Sequence, residues 1–205
     1  MIVKICGITN AQDAAAAVEA GATALGVNFY PESPRFVTPE QAAHILSVVP
    51  DEVLKVGVFV NEPAEAVENL AWELGLDVVQ LYGNCSEWPQ GVRVWRAVRV
   101  TGEFRADEIG DPRAEALLLD AAPPGVWGGS GQSFDWRLAR GVRARIVIAG
   151  GLDESNVAEA IRQARPWGVD ACSRLERAPG RKDHERMRRF VQAALAAAKQ
   201  GDCRC

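Results

Sequence analysis

Short apolar runs alternate with Ala-rich segments along the whole chain. The runs favour β-branched residues and predict eight strands, at 2–5, 24–29, 53–60, 77–81, 92–98, 116–119, 145–149 and 169–171. Five of the intervening segments have helical spacing and predict helices, at 11–20, 39–49, 63–74, 154–164 and 183–199. Strands that are apolar almost throughout are typical of a parallel sheet covered by helices.

Eight such strands predict an α/β fold, a (β/α)8 or TIM barrel, as a single domain over residues 1–200. Residues 201–205 are expected to form a disordered tail. Between strands four and six, the segment 85–90 is too short for a full helix, and 101–109 has only a weak pattern. A doubly wound open sheet is the main alternative, but no G-x-G-x-x-G motif follows the first strand.

Several predicted strands end in a residue that is able to do chemistry. The ends are Cys6 with Gly7, Asn28, Gln80, Asp120, Gly150 with Gly151, and Asp170 with Ser173. In a barrel of parallel strands these positions surround one mouth, where the active site of such folds lies. The pattern therefore predicts a single site that is assembled from the whole length of the chain.

Composition narrows the classes of function. Hydrophobic residues make up 48% of the chain and charged residues 24%, as in an ordinary globular protein. The net charge is −4, and the chain has no cluster of basic residues interleaved with aromatic residues. Binding to nucleic acid is therefore not predicted. No apolar run approaches the ~20 residues of a membrane span, and no signal peptide is evident, so we expect a cytoplasmic protein without membrane contact.

The five cysteines are odd in number and scattered, which argues against a disulfide framework. Cys203 and Cys205 form a C-x-C pair without a second pair of ligands, so no metal site is predicted there. Cys6 is either a small buried hydrophobic residue or a general base. A thiol used as a base needs a lowered pKa, which Lys4 or a helix N-terminus is able to supply.

Two acidic residues also allow two interpretations. Asp120 either caps the following turn or faces the mouth, where a carboxyl group would serve as an acid or base. Asp170 likewise either caps a turn or faces the mouth, where its carboxylate would accept hydrogen bonds from sugar hydroxyls. Arg35 is either a solvated surface arginine or a residue that recognises a carboxylate in bidentate geometry.

The loops after strands seven and eight predict a phosphate site. Exposed backbone N–H groups at Gly150 and Gly151, and at 172–175, would form an anion nest in the usual place for such barrels. A Gly-rich loop at 128–131 is a further candidate for a lid or a ligand nest.

Taken together, these residues resemble the phosphoribosylanthranilate isomerase family. The matching segments are collinear over nearly the whole chain: Lys-Ile-Cys-Gly-Ile-Thr at 4–9, Ser-Pro-Arg at 33–35, Val-Gly-Val-Phe-Val at 56–60, Val-Gln-Leu-Tyr-Gly at 79–83, Gly-Gly-Ser-Gly-Gln-Ser-Phe-Asp-Trp at 128–136, Ala-Gly-Gly-Leu at 149–152 and Pro-Gly-Arg-Lys-Asp at 179–183. The resemblance implies a (β/α)8 barrel that is a monomer or a homodimer, with no cofactor and no metal.

The resemblance also implies an Amadori rearrangement, which converts the aminoaldose N-(5′-phosphoribosyl)anthranilate into an aminoketose. Cys6 would be the base and Asp120 the acid. Substrate binding would involve a carboxylate contact, a ribose contact and a phosphate nest, made respectively by Arg35, by Asp170, and by Gly150, Gly151, Cys172 and Ser173. Two other functions are considered: an isomerase of another phosphoribosyl amine, and a phosphate-binding barrel without catalysis.

The chain departs from the family pattern at a few positions. Tyr82 stands where histidine is usual, Cys172 replaces a serine, and Arg174 replaces a glycine beside the predicted phosphate nest. Arg174 would either contact the phosphate or turn towards solvent, and it would obstruct the nest if the backbone there required a positive φ. We expect the phosphate contact, because guanidinium–phosphate pairing is strong.

Overall fold

The computed structural model describes residues 1–84, 87–101, 104–106, 109–121 and 132–202, and in it eight parallel strands close into a barrel. The strands are β1 (Ile2–Cys6), β2 (Ala24–Asn28), β3 (Leu54–Val60), β4 (Val78–Tyr82), β5 (Arg93–Arg99), β6 (Ala116–Asp120), β7 (Ile146–Ile148) and β8 (Gly168–Ala171). Strand β8 pairs with β1 and completes the ring. The predicted single-domain (β/α)8 barrel is confirmed.

All five predicted helices are present. They are α1 (Ala11–Glu19), α2 (Pro39–Leu46), α3 (Ala64–Leu74), α4 (Val157–Ala164) and α5 (His184–Asp202). Helix α2 begins with a capping box between Thr38 and Gln41. Helix α5 ends at Asp202, so the expected tail boundary at 201 falls inside this helix, and 203–205 lie outside the described residues.

The connections differ around the ring. Among the residues described between β4 and β6, those outside β5 form no helix, as the short segment at 85–90 and the weak pattern at 101–109 predict. A short 3₁₀ helix (Trp136–Gly141) precedes β7. After β8, a 3₁₀ turn leads into an antiparallel hairpin of β9 (Glu176–Ala178) and β10 (Arg181–Lys182), which the apolar pattern did not predict.

The alternation of side chains along each strand divides the core into two parts. One part packs the outer faces of the strands against the helices, and Val3 and Ile5 of β1 belong to it. The other part fills the barrel interior, where Cys6 belongs together with Trp95 and other strand residues. Because successive strand residues point to opposite faces, Lys4 lies on the same inward face as Cys6. A lysine amino group is therefore buried inside the barrel.

Asp13 ties the first helix to the end of the chain. Its carboxylate accepts hydrogen bonds from the backbone N–H of Lys182 at 2.9 Å, from Nε2 of His184 at 2.7 Å and from Nδ2 of Asn10 at 2.9 Å. Burial alone would raise the pKa of Asp13, but the hydrogen bonds from Lys182 and His184 hold it below its ordinary value. The ionised carboxylate is thus the form that the fold favours.

We expect Asp13→Ala to lower the free energy of unfolding at pH 7 by about 1.5–3 kcal/mol, because hydrogen bonds to a charged group are lost. A carboxyl whose pKa is lowered by folding stabilises the protein above its ordinary pKa, and this stabilisation is lost as the pH falls through the folded-state value. The difference between variant and wild type should therefore shrink at acid pH, as denaturant unfolding from pH 6 down to pH 3 would measure. Asp51→Ala, at an exposed carboxylate paired with Lys55, is the control. Equal effects of the two substitutions at pH 7 would contradict the assigned role of Asp13.

Candidate active site

One cavity lies at the C-terminal ends of the strands, and we call it the mouth cavity. It is lined by all nine residues that the sequence predicted for the site: Cys6, Arg35, Asp120, Gly150, Gly151, Asp170, Cys172, Ser173 and Arg174. Asn28, Gln80 and Tyr82 line it as well. The closed ring of strands explains the convergence, because every strand contributes its end to the same opening.

A buried ion pair forms the floor of the mouth cavity beside Cys6. Lys4 is 0% exposed, and its Nζ donates a hydrogen bond of 2.9 Å to Oδ1 of Asp170, which lies opposite it on β8. Burial alone would lower the pKa of Lys4, but Asp170 and then Cys6 hold it above its ordinary value. Lys4 is therefore charged, and the carboxylate that neutralises it is the one expected to meet the ribose.

Gly26, which pairs with Cys6 on β2, makes room for this arrangement. A Cβ at Gly26 would lie 2.9 Å from Sγ of Cys6 and 3.0 Å from Nζ of Lys4. A side chain at this position would displace at least one of the two groups. The missing side chain therefore allows the thiol and the ammonium group to lie next to each other.

The pKa of Cys6 is subject to opposing effects from Lys4 and from a second thiol. Lys4 does act to lower it, but a hydrogen bond with Cys172 and burial outweigh the lysine, so the pKa of Cys6 is raised. The same hydrogen bond, with Lys182 and Arg35 nearby, lowers the pKa of Cys172 to about 6. Lys4 thus has the effect that the sequence suggested, but sequence alone did not reveal the second thiol beside Cys6.

Asp120 ends β6, which lies three strands from β1 and two strands from β8 around the ring, and it is 3% exposed. The hydroxyl of Tyr82 donates a hydrogen bond of 3.1 Å to Oδ2 of Asp120, and Nε2 of Gln80 donates one of 3.3 Å to the Tyr82 oxygen. Burial, and then the charge of Asp120, raise the pKa of Tyr82 well above its usual range, so the phenol keeps its proton. Tyr82 thus orients the carboxyl, a role that the sequence analysis did not assign to it.

Arg35 is held in place by a carboxylate from the hairpin. Its Nε and Nη2 donate to the two oxygens of Glu176 at 2.8 and 2.7 Å, and Nζ of the fully buried Lys182 donates to Oε1 of Glu176 at 2.8 Å. The guanidinium is therefore not a solvated surface group. A guanidinium has five N–H donors, so this fork leaves part of its capacity for a ligand in the mouth cavity. Sequence reasoning missed Glu176 and Lys182, and only the Pro-Gly-Arg-Lys-Asp segment pointed to this region.

The loop after β7 has the backbone that an anion nest needs. Gly150 and Gly151 have φ values of 84° and 61°, in the left-handed region that favours glycine. A Cβ on Gly150 would lie 2.8 Å from the backbone nitrogen of Ala121 and 2.9 Å from the carbonyl oxygen of Gln132. The loop continues to Asn156, whose side chain donates to the carbonyl of Gly151 at 2.8 Å, just before α4 begins.

Arg174 is exposed and forms an ion pair at the edge of the mouth cavity. Its Nη1 donates to Oδ2 of Asp153 at 2.9 Å, while the residue lines the mouth cavity at the end of β8. Among the described residues other than glycine, positive φ values occur at Asn61 and Arg165, not at Arg174. The backbone obstruction considered from the sequence therefore does not arise.

The sequence predicts neither a metal site nor a membrane span. Among the residues that the structure describes, no group of three or more His, Cys, Asp or Glu side chains is arranged to hold a metal ion. Within the same residues, no helix has the length and apolar character required to cross a membrane. The predicted Gly-rich loop at 128–131 lies outside the described residues.

The sequence matches one family model and many curated relatives. The model described as N-(5′-phosphoribosyl)anthranilate (PRA) isomerase matches residues 3–193. An N-(5′-phosphoribosyl)anthranilate isomerase of Solibacter usitatus is 52% identical over 199 residues, which cover 96% of this chain and 98% of the relative. One of Trichlorobacter lovleyi is 49% identical and covers 95% and 98% of the two chains.

Solved structures give the same result. The phosphoribosyl anthranilate isomerase of Thermotoga maritima is 38% identical with a TM-score of 0.80, covering 96% of this chain and 100% of its own. The enzyme of Thermus thermophilus is 35% identical with a TM-score of 0.84, covering 96% and 99%. Another phosphoribosyl anthranilate isomerase was solved in complex with reduced 1-(o-carboxyphenylamino)-1-deoxyribulose 5-phosphate, at 35% identity, a TM-score of 0.77, and coverage of 96% and 100%.

The ion pair on the floor of the cavity leads to a stability prediction. Lys4→Met should lower the free energy of unfolding by about 3–5 kcal/mol, because the carboxylate of Asp170 is then buried without a partner. The double variant Lys4→Met/Asp170→Leu removes both charges and should recover much of the loss. Urea unfolding of both variants measures this, with Lys55→Met at the exposed Asp51 pair as a control that should cost at most about 1 kcal/mol. If the double variant is no more stable than Lys4→Met, the loss does not come from an unpaired charge.

Proposed function

We propose, since the chain belongs to the N-(5′-phosphoribosyl)anthranilate isomerase family, that Cys6 and Asp120 are the base and the acid of its reaction. The activity of the chain is the isomerisation of N-(5′-phosphoribosyl)anthranilate in tryptophan biosynthesis. Of the three functions considered from the sequence, this is the one that the relatives carry. The observation that carries the assignment is that a thiol at the end of β1 and a carboxyl at the end of β6 line one cavity.

The acid opens the sugar ring. Asp120 protonates the furanose oxygen, the bond from that oxygen to C1′ breaks, and the anilino nitrogen supplies the electron pair for an iminium ion. Tyr82 donates its hydrogen bond to Oδ2, which fixes the plane of the carboxyl. Such positioning of a proton donor typically contributes 10²–10⁴-fold to the rate.

The base then removes the proton from C2′. The electron pair of the broken C–H bond forms the C1′=C2′ bond of an enolamine, and the iminium nitrogen takes up the electron pair of its double bond. The enolamine becomes the aminoketose when C1′ gains a proton and the C2′ hydroxyl loses one. Sγ of Cys6 accepts the C2′ proton, and the ammonium group of Lys4 next to it stabilises the thiolate that this step requires.

The two anionic ends of the substrate match two parts of the mouth cavity. Arg35, oriented by Glu176, binds the anthranilate carboxylate, and the backbone N–H groups of Gly150, Gly151, Cys172 and Ser173 bind the phosphate. Asp170 accepts hydrogen bonds from ribose hydroxyls, and Arg174 adds charge at the phosphate end. The compound bound in the related structure, a carboxyphenylamino deoxyribulose phosphate, carries the same two anionic groups, which supports this orientation.

The assembly and the location of the protein follow the same reasoning. The Thermotoga maritima relative is described as dimeric, with monomers also generated from it, and for this chain we keep both a monomer and a homodimer. Light scattering coupled to size-exclusion chromatography distinguishes the two. A biosynthetic isomerase acting on a phosphorylated small molecule is expected in the cytoplasm, with no nucleic-acid partner.

Cys6→Ser and Asp120→Asn should each lower kcat by about 10²–10⁴-fold with little change in KM, because each removes a proton transfer rather than a binding contact. Loss of the substrate's anthranilate fluorescence measures the turnover. The control is Ser47→Ala, an exposed hydroxyl at the end of α2 that bonds to a backbone carbonyl. Wild-type turnover in Cys6→Ser would refute the assignment of Cys6 as the base. Wild-type turnover in Asp120→Asn would refute the assignment of Asp120 as the acid.

Arg35→Ala should weaken binding of a product analogue that carries the carboxylate by about 1.5–3 kcal/mol, since a charge-assisted bidentate contact is lost. The same analogue without its carboxylate should bind wild type and variant alike. Arg35→Lys keeps the charge without the fork. Its affinity for the analogue with the carboxylate should therefore lie between those of wild type and Arg35→Ala. Calorimetry measures these affinities. The control is Arg137→Ala, at an exposed arginine paired with Asp135. Equal weakening for both analogues would contradict recognition of the carboxylate by Arg35.

A further inference from the structure

Two cysteine thiols meet at the rim of the mouth cavity. Strands β1 and β8 are neighbours with Ile5 opposite Ala171, so the next residues along each strand, Cys6 and Cys172, emerge side by side. Their thiols lie within hydrogen-bonding reach of each other. Gly7 makes room for the second thiol, because a Cβ there would lie 2.9 Å from Sγ of Cys172. The proposed scheme uses only one of the two thiols.

Each thiol has its own cation and carboxylate. Lys4 and Asp170 lie beside Cys6, as described above. On the other side, Nζ of Lys182 lies 3.8 Å from Sγ of Cys172 and 3.1 Å from its carbonyl oxygen, and the guanidinium of Arg35 and the carboxylate of Glu176 complete the surroundings.

The charged side chains around the two thiols have a net charge of +1. Three cations, on Lys4, Lys182 and Arg35, face two carboxylates, on Asp170 and Glu176. One thiolate balances the cluster, whereas two thiolates would leave excess negative charge in a buried site and none would leave excess positive charge. The surroundings therefore favour one negative charge on the pair.

We propose that Cys6 and Cys172 share a single proton across their hydrogen bond, and that Cys172 is a positioning residue which takes up the proton of Cys6 when Cys6 acts as the base. The proposal rests on the proposed function, because it assumes that Cys6 removes the C2′ proton. The resemblance described in the sequence analysis leads one to expect serine at position 172, so the pair depends on the cysteine that this chain has there.

Substrate binding moves the shared proton. In the free protein the negative charge rests on Cys172, near Lys182 and Arg35, as the lowered pKa of this thiol indicates. The incoming phosphate and carboxylate approach that side of the pair, and like charges disfavour a thiolate there. The proton therefore passes from Sγ of Cys6 to Sγ of Cys172, which leaves the thiolate on Cys6 beside Lys4.

The protons balance over a turnover. Removal of the C2′ proton leaves both thiols protonated, and the pair then releases one proton to solvent. The proton that Asp120 gave stays on the former ring oxygen as a hydroxyl of the product, and Asp120 takes up one proton from solvent. The enolamine gains a proton at C1′ and loses one from its C2′ hydroxyl, so the isomerisation consumes and produces no net proton.

Ultraviolet absorbance of thiolates tests where the charge rests in the free protein. Cys85, Cys203 and Cys205 are first replaced by serine, so that only Cys6 and Cys172 contribute. We expect one thiolate at pH 7.5 in this background and one in its Cys6→Ser version, but much less than one in its Cys172→Ser version. Alkylation by iodoacetamide at the same pH should label Cys172 first, as peptide mass spectrometry shows. Preferential labelling of Cys6, or a full thiolate in Cys172→Ser, would overturn the proposal.

The pH profile of kcat/KM tests the role in turnover. Cys172→Ala should move the acid limb of the profile upwards by about one unit, so that at pH 6 the loss is about tenfold greater than at pH 9. Cys172→Ser retains a hydrogen-bond donor but not a titratable group. Its acid limb should therefore lie between those of wild type and Cys172→Ala. Ser173→Ala, in the same phosphate loop, should raise KM without moving the acid limb.

The two proposals fail in different ways. If Cys6→Ser keeps its turnover, the base assignment fails, whatever the thiolate titration shows. If Cys6→Ser is inactive while both Cys172 variants keep the acid limb of wild type, the base assignment stands and proton sharing is refuted. A change in KM alone in the Cys172 variants also refutes proton sharing, because it indicates only a phosphate contact.

Discussion

The buried ion pair between Lys4 and Asp170 is the constraint on which the site depends. A lysine on the inward face of a barrel strand cannot be left without a counter-charge, since burying an unpaired ion costs several kcal/mol. Asp170 lies opposite it at the point where β8 closes the ring, so closing the barrel and neutralising the charge are the same event. The pair also fixes its surroundings: Gly26 is required next to it, and Cys6 follows one step along the same face.

A second carboxylate repeats this arrangement at the rim. Glu176 holds both Arg35 and Lys182, so it orients the guanidinium that lines the mouth cavity and places an ammonium group near Cys172. Both clusters combine a fully buried lysine with a carboxylate from β8 or from the segment that follows it. The site therefore has a charged framework that is complete before any ligand arrives, and this lowers the cost of organising the site when the substrate binds.

The fold was predictable because the signals that specify it are local. Each apolar run and each Ala-rich segment is visible within a window of ten residues, and parallel strands bring their ends together whatever their side chains are. That is why all nine predicted site residues line one cavity.

The pairings within the site were not predictable in the same way. Glu176 meets Arg35, Cys172 meets Cys6 and Asp153 meets Arg174 only because of register and hairpin geometry, which a single sequence does not display. The expected effect of Lys4 on Cys6 had the correct sign. It was outweighed by a neighbour more than 160 residues away in the chain.

The pairing of β1 with β8 also has a consequence for the synthesis of the protein. The chain leaves the ribosome from its N-terminus, so the strand that carries Lys4 emerges first and its counter-ion on β8 emerges almost last. Until then, the first strand has an ammonium group on the face that must be buried and has no partner along one edge. Local helices and neighbouring strands can form during translation, but the ring cannot close. A chain that ends before β8 therefore has neither the closed ring nor the Lys4–Asp170 pair, and it contains no complete site.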